Sequence, residues 1–377
     1  LYGLGYKNGS EAGAYFTVVA YASLKWETQI STDIALEFGL FDRLTGTIEY
    51  FKKDSKDLLF DVSQPASVGV TSIIQNIGKV TNSGVDIESD YNAFKNKDWS
   101  VSVGDNATFV KNKIKNLPAT MKENGYISGS KKWLEGKSIY EFWLRQWHGV
   151  DPQTGDGLYV ADVSKYNQGN IGTGDGNITQ SQFDEYKKTV VTIDGKELTN
   201  SYTYAKYDFS GSSIPEVYGG FNVRVSYKNF DLAAVFSYQL GGQILDTNYA
   251  TMMSMTEFGY AQSPDLLKAW KQAGDITEVP RIDNSAAHTT NIGQSYSTRW
   301  LTSSDYLNLR SVTIGYQLPK TWLSKVMLKS ARLNLTAENL FMLKARQGLN
   351  PMANYSGVTY NEYMPSRNIT LGLNVSF

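Results

Sequence analysis

Three observations predict that this chain of 377 residues is all-β and forms a transmembrane antiparallel up-and-down β-barrel. Long stretches alternate apolar with polar residues at a period of two, as strands with two unlike faces do. Most stretches are longer than about ten residues, whereas globular strands average roughly five or six and a tilted bilayer-crossing strand needs about nine to eleven. Short and long connections also alternate along the chain, which is typical of barrels in the outer membrane.

The closing segment shows the alternation most clearly. In Arg367 to Phe377 the odd positions from 369 are Ile, Leu, Val or Phe, and the even positions are Asn, Thr, Gly or Ser. A helix would mix the two kinds of residue on each face. The same pattern predicts about ten strands, at 13–22, 28–40, 42–54, 77–92, 98–112, 215–228, 230–241, 298–318, 330–342 and 366–377.

The connections place the two ends of these strands on different sides. The short ones are Leu40 to Asp42, Ala93 to Lys97, Lys228 to Phe230 and the somewhat longer Leu318 to Ser330. The long ones are loops near 55–76, 113–214, 242–297 and 343–365. We expect the long loops outside the cell and the short turns in the periplasm. Within the loops only Ser263 to Gln272 has helical spacing.

A second architecture uses the same alternation. A secreted or surface-attached β-rich glycan-binding module, built as a β-sandwich, also has strands with unlike faces. Strand length and the separation of short from long connections favour the membrane barrel. In the module the apolar residues of the strands, such as Leu371 and Leu373, would point into a protein core, whereas in the barrel they face lipid.

Composition excludes several classes of function. A net charge of −1 gives no bulk attraction for nucleic acid, and the chain has no cysteine for a thiolate metal site or nucleophile. His148 and His288 are its two histidines, and no nucleophile, base and orienting acid can be placed together. The neighbouring acids Asp184 and Glu185 are expected by chance among 37 acidic residues. We predict no enzyme activity, no catalytic residue and no cofactor.

An ordered set of motifs resembles the C-terminal part of the SusC/RagA-type TonB-dependent outer-membrane transporters. Each motif alone is weak, but together they cover nearly the whole chain in family order. They are LKWETQ with DIALEFGLFDRLTGTIEYF (Leu24 to Phe51), NIGKVTNSGVDIESD (Asn76 to Asp90), VDPQTGDGLYV (Val150 to Val160), IPEVYGGFNVRVSYKNFDLAAVFSYQLGG (Ile214 to Gly242), SDYLNLRSVTIGYQLPKTW (Ser304 to Trp322), ARLNLTAENLF (Ala331 to Phe341) and the closing RNITLGLNVSF.

The resemblance implies a 22-stranded barrel with a plugged lumen. Residues 1–377 would supply about ten C-terminal strands, and the N-terminal plug, the TonB box and the first strands are absent from this chain. The chain is therefore expected to be incomplete alone. The implied location is the outer membrane of a Gram-negative cell, with lipid around the barrel.

The implied function is TonB-dependent active import of a bulky nutrient, an oligosaccharide first and a peptide second. The implied partners are a SusD-like surface lipoprotein acting as a lid, the remainder of the barrel and plug, and the TonB–ExbB–ExbD complex acting through the missing N-terminal region. Substrate identity is not specified by the motifs.

Aromatic residues in loop 113–214 are the candidates for substrate contact. A flat ring stacks on a sugar face or a peptide side chain at low entropic cost. The same rings could form loop core or an interfacial girdle. The candidates are Trp133, Trp143, Trp147, Tyr159 and Tyr166.

Two further features have weaker patterns. Ile171 to Gln182 resembles a degraded Ca²⁺ loop around Asp175 and Gly176, but it lacks acids at the first and last ligand positions, so a glycine-rich turn is favoured. The terminal Phe377 ends an alternating strand. Such an aromatic end directs outer-membrane barrel assembly, and we assign Phe377 that role.

Overall fold

The structure is a computed structural model that describes residues 2–8, 11–16, 24–63, 67, 70, 72–76, 78–255, 259, 261–283, 285–293, 296–323 and 328–377. These residues form 24 strands, numbered in chain order: β1 (Tyr2–Asn8), β2 (Glu11–Phe16), β3 (Thr28–Leu40), β4 (Leu44–Lys56), β5 (Leu59–Ser63), β6 (Ser72–Asn76), β7 (Lys79–Lys95), β8 (Trp99–Asn116), β9 (Tyr126–Ser128), β10 (Lys131–Trp133), β11 (Glu141–Arg145), β12 (Trp147–Val150), β13 (Gly157–Val160), β14 (Val190–Ile193), β15 (Lys196–Thr199), β16 (Tyr207–Ser212), β17 (Val217–Tyr227), β18 (Phe230–Leu240), β19 (Gln243–Leu245), β20 (Leu301–Ser303), β21 (Tyr306–Gln317), β22 (Ser330–Glu338), β23 (Met342–Lys344) and β24 (Asn368–Ser376).

Helices are few and short. The α-helices are α1 (Gln180–Thr189), α2 (Thr247–Met252), α3 (Ala286–Ile292) and α4 (Lys320–Leu323). Single 3₁₀ turns lie at Ala119–Met121, Gln168–Asn170, Tyr202–Tyr204, Pro264–Lys268 and Thr298–Trp300. Among the described helices, none combines the length and apolar character that a membrane crossing requires.

One antiparallel sheet organises the chain. Its strand order is β24, β22, β21, β18, β17, β8, β7, β4, β3, and β23 adds to one end of β21. Consecutive long strands are neighbours throughout, which confirms the predicted all-β antiparallel architecture. Strands β3 and β24 form the two edges of this sheet as far as the described residues extend.

Most predicted strands are found with ends shifted by a few residues. The predicted strand 298–318 is two strands, β20 and β21, and the predicted strand 330–342 ends at Glu338 because Asn339 has a φ of 52°. Of the predicted strand 13–22, the residues up to Phe16 belong to β2, which pairs with β1 outside the large sheet, and 17–22 lie outside the described residues.

Cross-strand register places the two kinds of residue on opposite faces of the sheet. Leu333 lies opposite Leu373 and Leu335 opposite Leu371, while Thr336 lies opposite Thr370. A shift of one residue would reverse every side chain, so the pairing itself fixes both faces. Leu371 and Leu373 are 75% and 61% exposed. A sandwich would bury these side chains, so their exposure favours the barrel.

Aromatic residues form a row on the apolar face near the short turns. Trp99 and Tyr227 have ring centroids 4.3 Å apart, and Phe230 and Tyr316 have centroids 4.4 Å apart. One register row across six neighbouring strands contains Trp99, Tyr227, Phe230, Tyr316, Leu333 and Leu373. Aromatic girdles of this kind lie where a barrel leaves the hydrocarbon core.

The opposite face carries a ladder of polar side chains. Asn374 Nδ2 donates to Asn334 Oδ1 at 3.0 Å, and the Thr313 and Thr336 hydroxyl oxygens are 3.0 Å apart. Arg332 Nη2 reaches Asp231 Oδ2 at 2.6 Å. The Arg332 side chain passes over Gly315. A Cβ at position 315 would lie 2.2 Å from Arg332 Nη2, so a larger residue would clash there. These charged and amide groups require a hydrated interior.

Asp105 interrupts the apolar face. It lies opposite Ser89 and Phe221, and it accepts a hydrogen bond from Ser89 Oγ at 2.5 Å. Since Trp99 and Phe109 stand on the same face of β8, this carboxylate lies between the two ends of the apolar band. The hydroxyl bond supplies one partner for a charge that lipid would not solvate.

The two faces of β24 allow a matched test of membrane orientation. We expect Leu371→Arg to impair insertion severely, because Leu371 lies on the lipid side one row deeper than the aromatic row, and Arg near mid-bilayer costs about 2–4 kcal/mol. Asn374→Arg should insert normally, because its side chain stays in the hydrated lumen. The measurement is the fraction of folded, heat-modifiable protein recovered in membranes. Equal tolerance of both substitutions would show that the two faces are assigned wrongly.

Candidate functional site

The long connections pack together at one end of the sheet, and we call the result the loop assembly. Its largest apolar core draws on loops 113–214, 242–297 and 343–365. The buried members are Phe142, Leu144, Leu245, Ala250, Met253, Leu266, Ala269, Val279, Trp300 and Val358. The mouth at the long-loop end is therefore a folded structure.

Loop 113–214 has small β-sheets of its own. It contains the four-stranded sheets β16-β11-β10-β9 and β12-β13-β15-β14. Helix α1 is capped at its N-terminus by Thr179, whose hydroxyl accepts from Gln182 N at 3.2 Å while Thr179 N donates to Gln182 Oε1 at 2.8 Å. This capping box is a sequence signal for a helix start, and our sequence analysis missed α1.

The predicted helix Ser263 to Gln272 is wrong in extent. The structure has one 3₁₀ stretch, Pro264–Lys268. Helical geometry ends there because Trp270 is held elsewhere: its backbone N donates to Val279 O at 3.0 Å and its indole Nε1 to Pro152 O at 3.0 Å. Tertiary contacts thus override the apolar spacing.

The motif VDPQTGDG forms a tight turn that connects two loops. Asp151 is buried and accepts from Gln153 N at 2.8 Å. Asp156 binds Arg281 Nη1 at 2.7 Å and lies 3.7 Å from His288 Nδ1. The pKa of Asp156 is lowered, chiefly by the neighbouring His288 side chain. This charged contact therefore joins loop 113–214 to loop 242–297.

Cations cover the faces of several loop aromatics. Arg299 lies 4.7 Å from the Trp147 ring and 4.3 Å from the Trp300 ring. Burial lowers the pKa of Arg299 to about 10. Lys132 Nζ lies 4.1 Å from the Trp143 ring. These internal contacts stabilise the loop assembly, since a desolvated cation–aromatic pair contributes about 2 kcal/mol.

Two of the predicted substrate-contact residues lie in loop cores. Tyr159 is 0% exposed, and burial raises its pKa to about 12. Tyr166 is 7% exposed and stacks on Tyr186 at 5.2 Å between ring centroids, with Tyr204 edge-on at 4.9 Å. This burial supports the packing role that the sequence left open beside substrate contact.

The other three predicted residues are half-buried in different places. Trp133 donates from Nε1 to Ile139 O at 3.0 Å. Trp143 stacks on Tyr207 at 6.2 Å between centroids. Trp147 meets Tyr159 edge-on at 5.1 Å. The structure therefore does not join the five aromatics into one surface.

The most exposed aromatics of the loop assembly are three tyrosines that are not among the predicted contact residues. Tyr355, Tyr360 and Tyr363 are 82%, 68% and 96% exposed. Their loop is anchored at its centre, where Leu245 N donates to Gly357 O at 2.7 Å and Thr359 N to Leu245 O at 3.1 Å. The signal in the sequence was three tyrosines within nine residues, NYSGVTYNEYMP.

Loop 171–182 and the terminal residue have local roles. Gly172 N donates to Ile178 O at 3.1 Å, and Gly176 has a φ of 86° at the turn. Across the described residues no group of three or more His, Cys, Asp and Glu side chains is arranged to hold a metal ion. The role of Phe377 in barrel assembly stays a prediction, as does the assignment of loop 171–182 as a glycine-rich turn rather than a Ca²⁺ site. Phe377 is exposed and lies beyond the end of β24.

Part of the chain matches one family, and two relatives share its description. Residues 1–177 match the family described as TonB dependent receptor-like, beta-barrel. The chain is 29% identical to TonB-dependent receptor P3 of Formosa agariphila, over 97% of the chain and 36% of that protein. It is 24% identical to TonB-dependent receptor SusC of Bacteroides thetaiotaomicron, over 94% of the chain and 32% of that protein. It thus spans about a third of these relatives.

The fold has a solved counterpart. The structure of the RagAB peptide transporter aligns with 100% of this chain and 38% of its own chain, with a TM-score of 0.78 and 23% sequence identity. At this identity the likeness shows the fold.

The fold and its loop assembly define an outer-membrane β-barrel. Within that class, residues 1–177 carry a TonB-dependent receptor-like β-barrel domain, and the chain is similar to proteins named as TonB-dependent receptors, which confirms the resemblance inferred from its motifs and the outer-membrane location. The relatives are named as receptors, in agreement with the prediction that the protein is not an enzyme.

Lys131 makes the stability of the loop assembly depend on pH. Its Nζ donates to Tyr140 O at 2.9 Å and lies 3.2 Å from the Phe142 ring centroid. Burial lowers the pKa of Lys131 from 10.5 to about 7, an effect that Glu141 opposes. The folded protein therefore binds fewer protons than the unfolded chain between these pKa values, so stability rises with pH across this window.

We expect Lys131→Met to remove most of this rise, because methionine fills the site without a charge. The measurement is the free energy of urea-induced unfolding of the full-length protein in detergent, compared at pH 6 and pH 9. Lys132→Met is the control next to it. A Lys131→Met variant that keeps the wild-type pH dependence contradicts the assignment.

Proposed function

We propose that the protein imports a bulky nutrient across the outer membrane by TonB-dependent active transport. The observation that supports this most directly is the joining of a two-faced barrel wall to a packed loop assembly at the long-loop end. A wall with a hydrated inner face can enclose a polar passage. A folded mouth can select a ligand before it enters.

The inner face is suited to a polar solute or a polar plug. Besides the ladder near the C-terminus, several inward positions of β3, β4 and β7 carry charged side chains. The carboxylates are Asp33, Glu37, Glu49, Asp86, Glu88 and Asp90, and Lys53 is a cation on the same face. Lumenal charges remain hydrated, so they are compatible with membrane insertion.

An oligosaccharide is the first choice of substrate. Tyr355, Tyr360 and Tyr363 present exposed rings on a loop fixed by backbone hydrogen bonds, and a sugar presents flat apolar faces to such rings. Near-neutral net charge places no restriction on the glycan. Rigid aromatic anchors bind with little loss of conformational entropy.

A peptide is the second choice, favoured by a different feature. A groove of about 880 Å³ in loop 242–297 is lined by apolar side chains and by charges of both signs. Leu267 and Ile282 are exposed in it, beside Arg281 and Asp283. This mixture suits the side chains of an extended peptide better than a neutral glycan. The RagAB relative is a peptide transporter by name.

We further propose the two protein partners that this role requires. A SusD-like lipoprotein would cover the loop assembly as a lid, since this assembly is a broad structured surface. The TonB–ExbB–ExbD complex would supply energy through a region outside this chain. We infer this energy coupling by analogy with TonB-dependent transporters.

Ligand binding by the tyrosine loop is testable in the full-length protein. We expect Tyr360→Ala with Tyr363→Ala to weaken oligosaccharide affinity about tenfold, because loss of each aromatic contact costs about 0.5–1.5 kcal/mol. Calorimetric titration with an oligosaccharide library measures this. A double substitution at Phe41 and Trp322, exposed aromatics near the short turns, is the control and should leave affinity unchanged.

Uptake tests the transport step separately. Labelled substrate should enter cells that carry the protein and should fail to enter after deletion of tonB or of the lipoprotein gene. Uptake that persists without tonB contradicts active import. Binding of peptides but of no oligosaccharide would replace the first substrate class with the second.

A further inference from the structure

Lysines gather on the outward face directly beyond the apolar band at the long-loop end. Tyr50, Val85 and Phe109 form one register row across β4, β7 and β8. The next outward row toward the loops is Lys52, Ser83 and Lys111, and the row after it is Asp54, Thr81 and Lys113. On this outward face, an apolar row is therefore followed directly by a row that contains two lysines.

Most of this positive charge is not neutralised. Lys79 Nζ lies 3.1 Å from Asp54 Oδ2, and Lys52 Nζ lies 3.6 Å from the same oxygen. Lys111 and Lys113 are exposed and form no ion pair with any residue that the structure describes. Lys52 and Lys79 therefore share the carboxylate of Asp54, while Lys111 and Lys113 have no described ion-pair partner.

A cleft of about 1010 Å³ lies beside these lysines. Tyr50, Val85 and Phe109 line it with Ile214 and Pro215, and Lys111 and Lys113 also border it. Glu141 and Glu216 belong to its lining as well. The cleft thus combines an apolar surface with charged groups, in which Lys111, Lys113 and Lys137 outnumber Glu141 and Glu216.

The cleft exists because β8 changes its neighbour. Strand β17 pairs with β8 only as far as Tyr218 opposite Thr108. Farther along, the same edge of β8 pairs with a loop, where Ile114 N donates to Lys137 O at 2.8 Å and Gly136 N to Ile114 O at 2.9 Å. The chain entering β17 therefore stands away from β8 and leaves space between them.

We propose that this cleft binds a phosphorylated lipid of the outer leaflet, with its phosphate on Lys111, Lys113 and Lys52 and an acyl chain along Phe109 and Val85. The long-loop end of an outer-membrane barrel faces outward, so this row stands at headgroup level. Basic clusters next to an apolar span bind anionic headgroups. Charge complementarity and the adjoining apolar floor select a lipid over a soluble anion.

The test uses the full-length protein in nanodiscs of zwitterionic lipid, titrated with lipid A and followed by native mass spectrometry. We expect Lys111→Gln with Lys113→Gln to weaken lipid A binding about thirtyfold, from roughly fivefold for each lysine near a membrane surface. Lys53→Gln is the matched control: its side chain lies on the inward face of β4, so binding should stay at the wild-type level.

Two further titrations separate the sources of phosphate. Dephosphorylated lipid A should bind at least tenfold more weakly than lipid A to the wild type, and inorganic phosphate should not displace lipid A. Heat-modifiability on gels confirms that each variant is folded. Wild-type affinity in the double variant, equal binding of dephosphorylated lipid, or displacement by inorganic phosphate would each overturn the proposal.

Discussion

The register between neighbouring strands is the constraint on which the rest of the structure depends. A strand in lipid must satisfy its backbone hydrogen bonds through its neighbours, because the hydrocarbon core offers no other partner. Once strands pair, the period of two decides which side chains meet lipid and which meet water. Leu333 opposite Leu373 and Asn334 beside Asn374 follow from one pairing. Position along the strand then sets the depth in the membrane.

The loop assembly uses a different kind of stabilisation. Its core is apolar, but arginines and lysines stacked on aromatic rings join its parts, as Arg299 does between Trp147 and Trp300. The contact between Asp156 and Arg281 joins two long loops without a disulfide, since the chain has no cysteine. The loop assembly at the mouth of the barrel is thereby held together by an apolar core and ion pairs, as a small soluble domain is.

The sequence predicted the sheet well because each face of each strand meets a uniform environment. Residues such as Leu371 face lipid and residues such as Thr370 face water, so the alternation of apolar and polar residues alone identifies the two faces. The loops were predicted poorly, because there each aromatic meets a specific partner. Tyr159 and Tyr166 were selected as binding residues and lie in cores. Trp270 was counted in a helix, yet Pro152 and Val279 hold it. Such contacts depend on particular partners outside the local pattern, as Pro152 is for Trp270 at a separation of 118 positions.

The central claim, that the apolar face of the large sheet meets lipid, has a direct measurement. This chain contributes no cysteine, so single cysteines at 369 through 376, placed in a full-length protein with any other cysteine replaced, can be spin-labelled one at a time in bilayers. Collision rates with oxygen, which concentrates in lipid, and with a water-soluble nickel chelate are then compared. We predict high oxygen accessibility at odd positions and high nickel accessibility at even positions. Accessibility without this alternation, or with its phase reversed, would contradict the account.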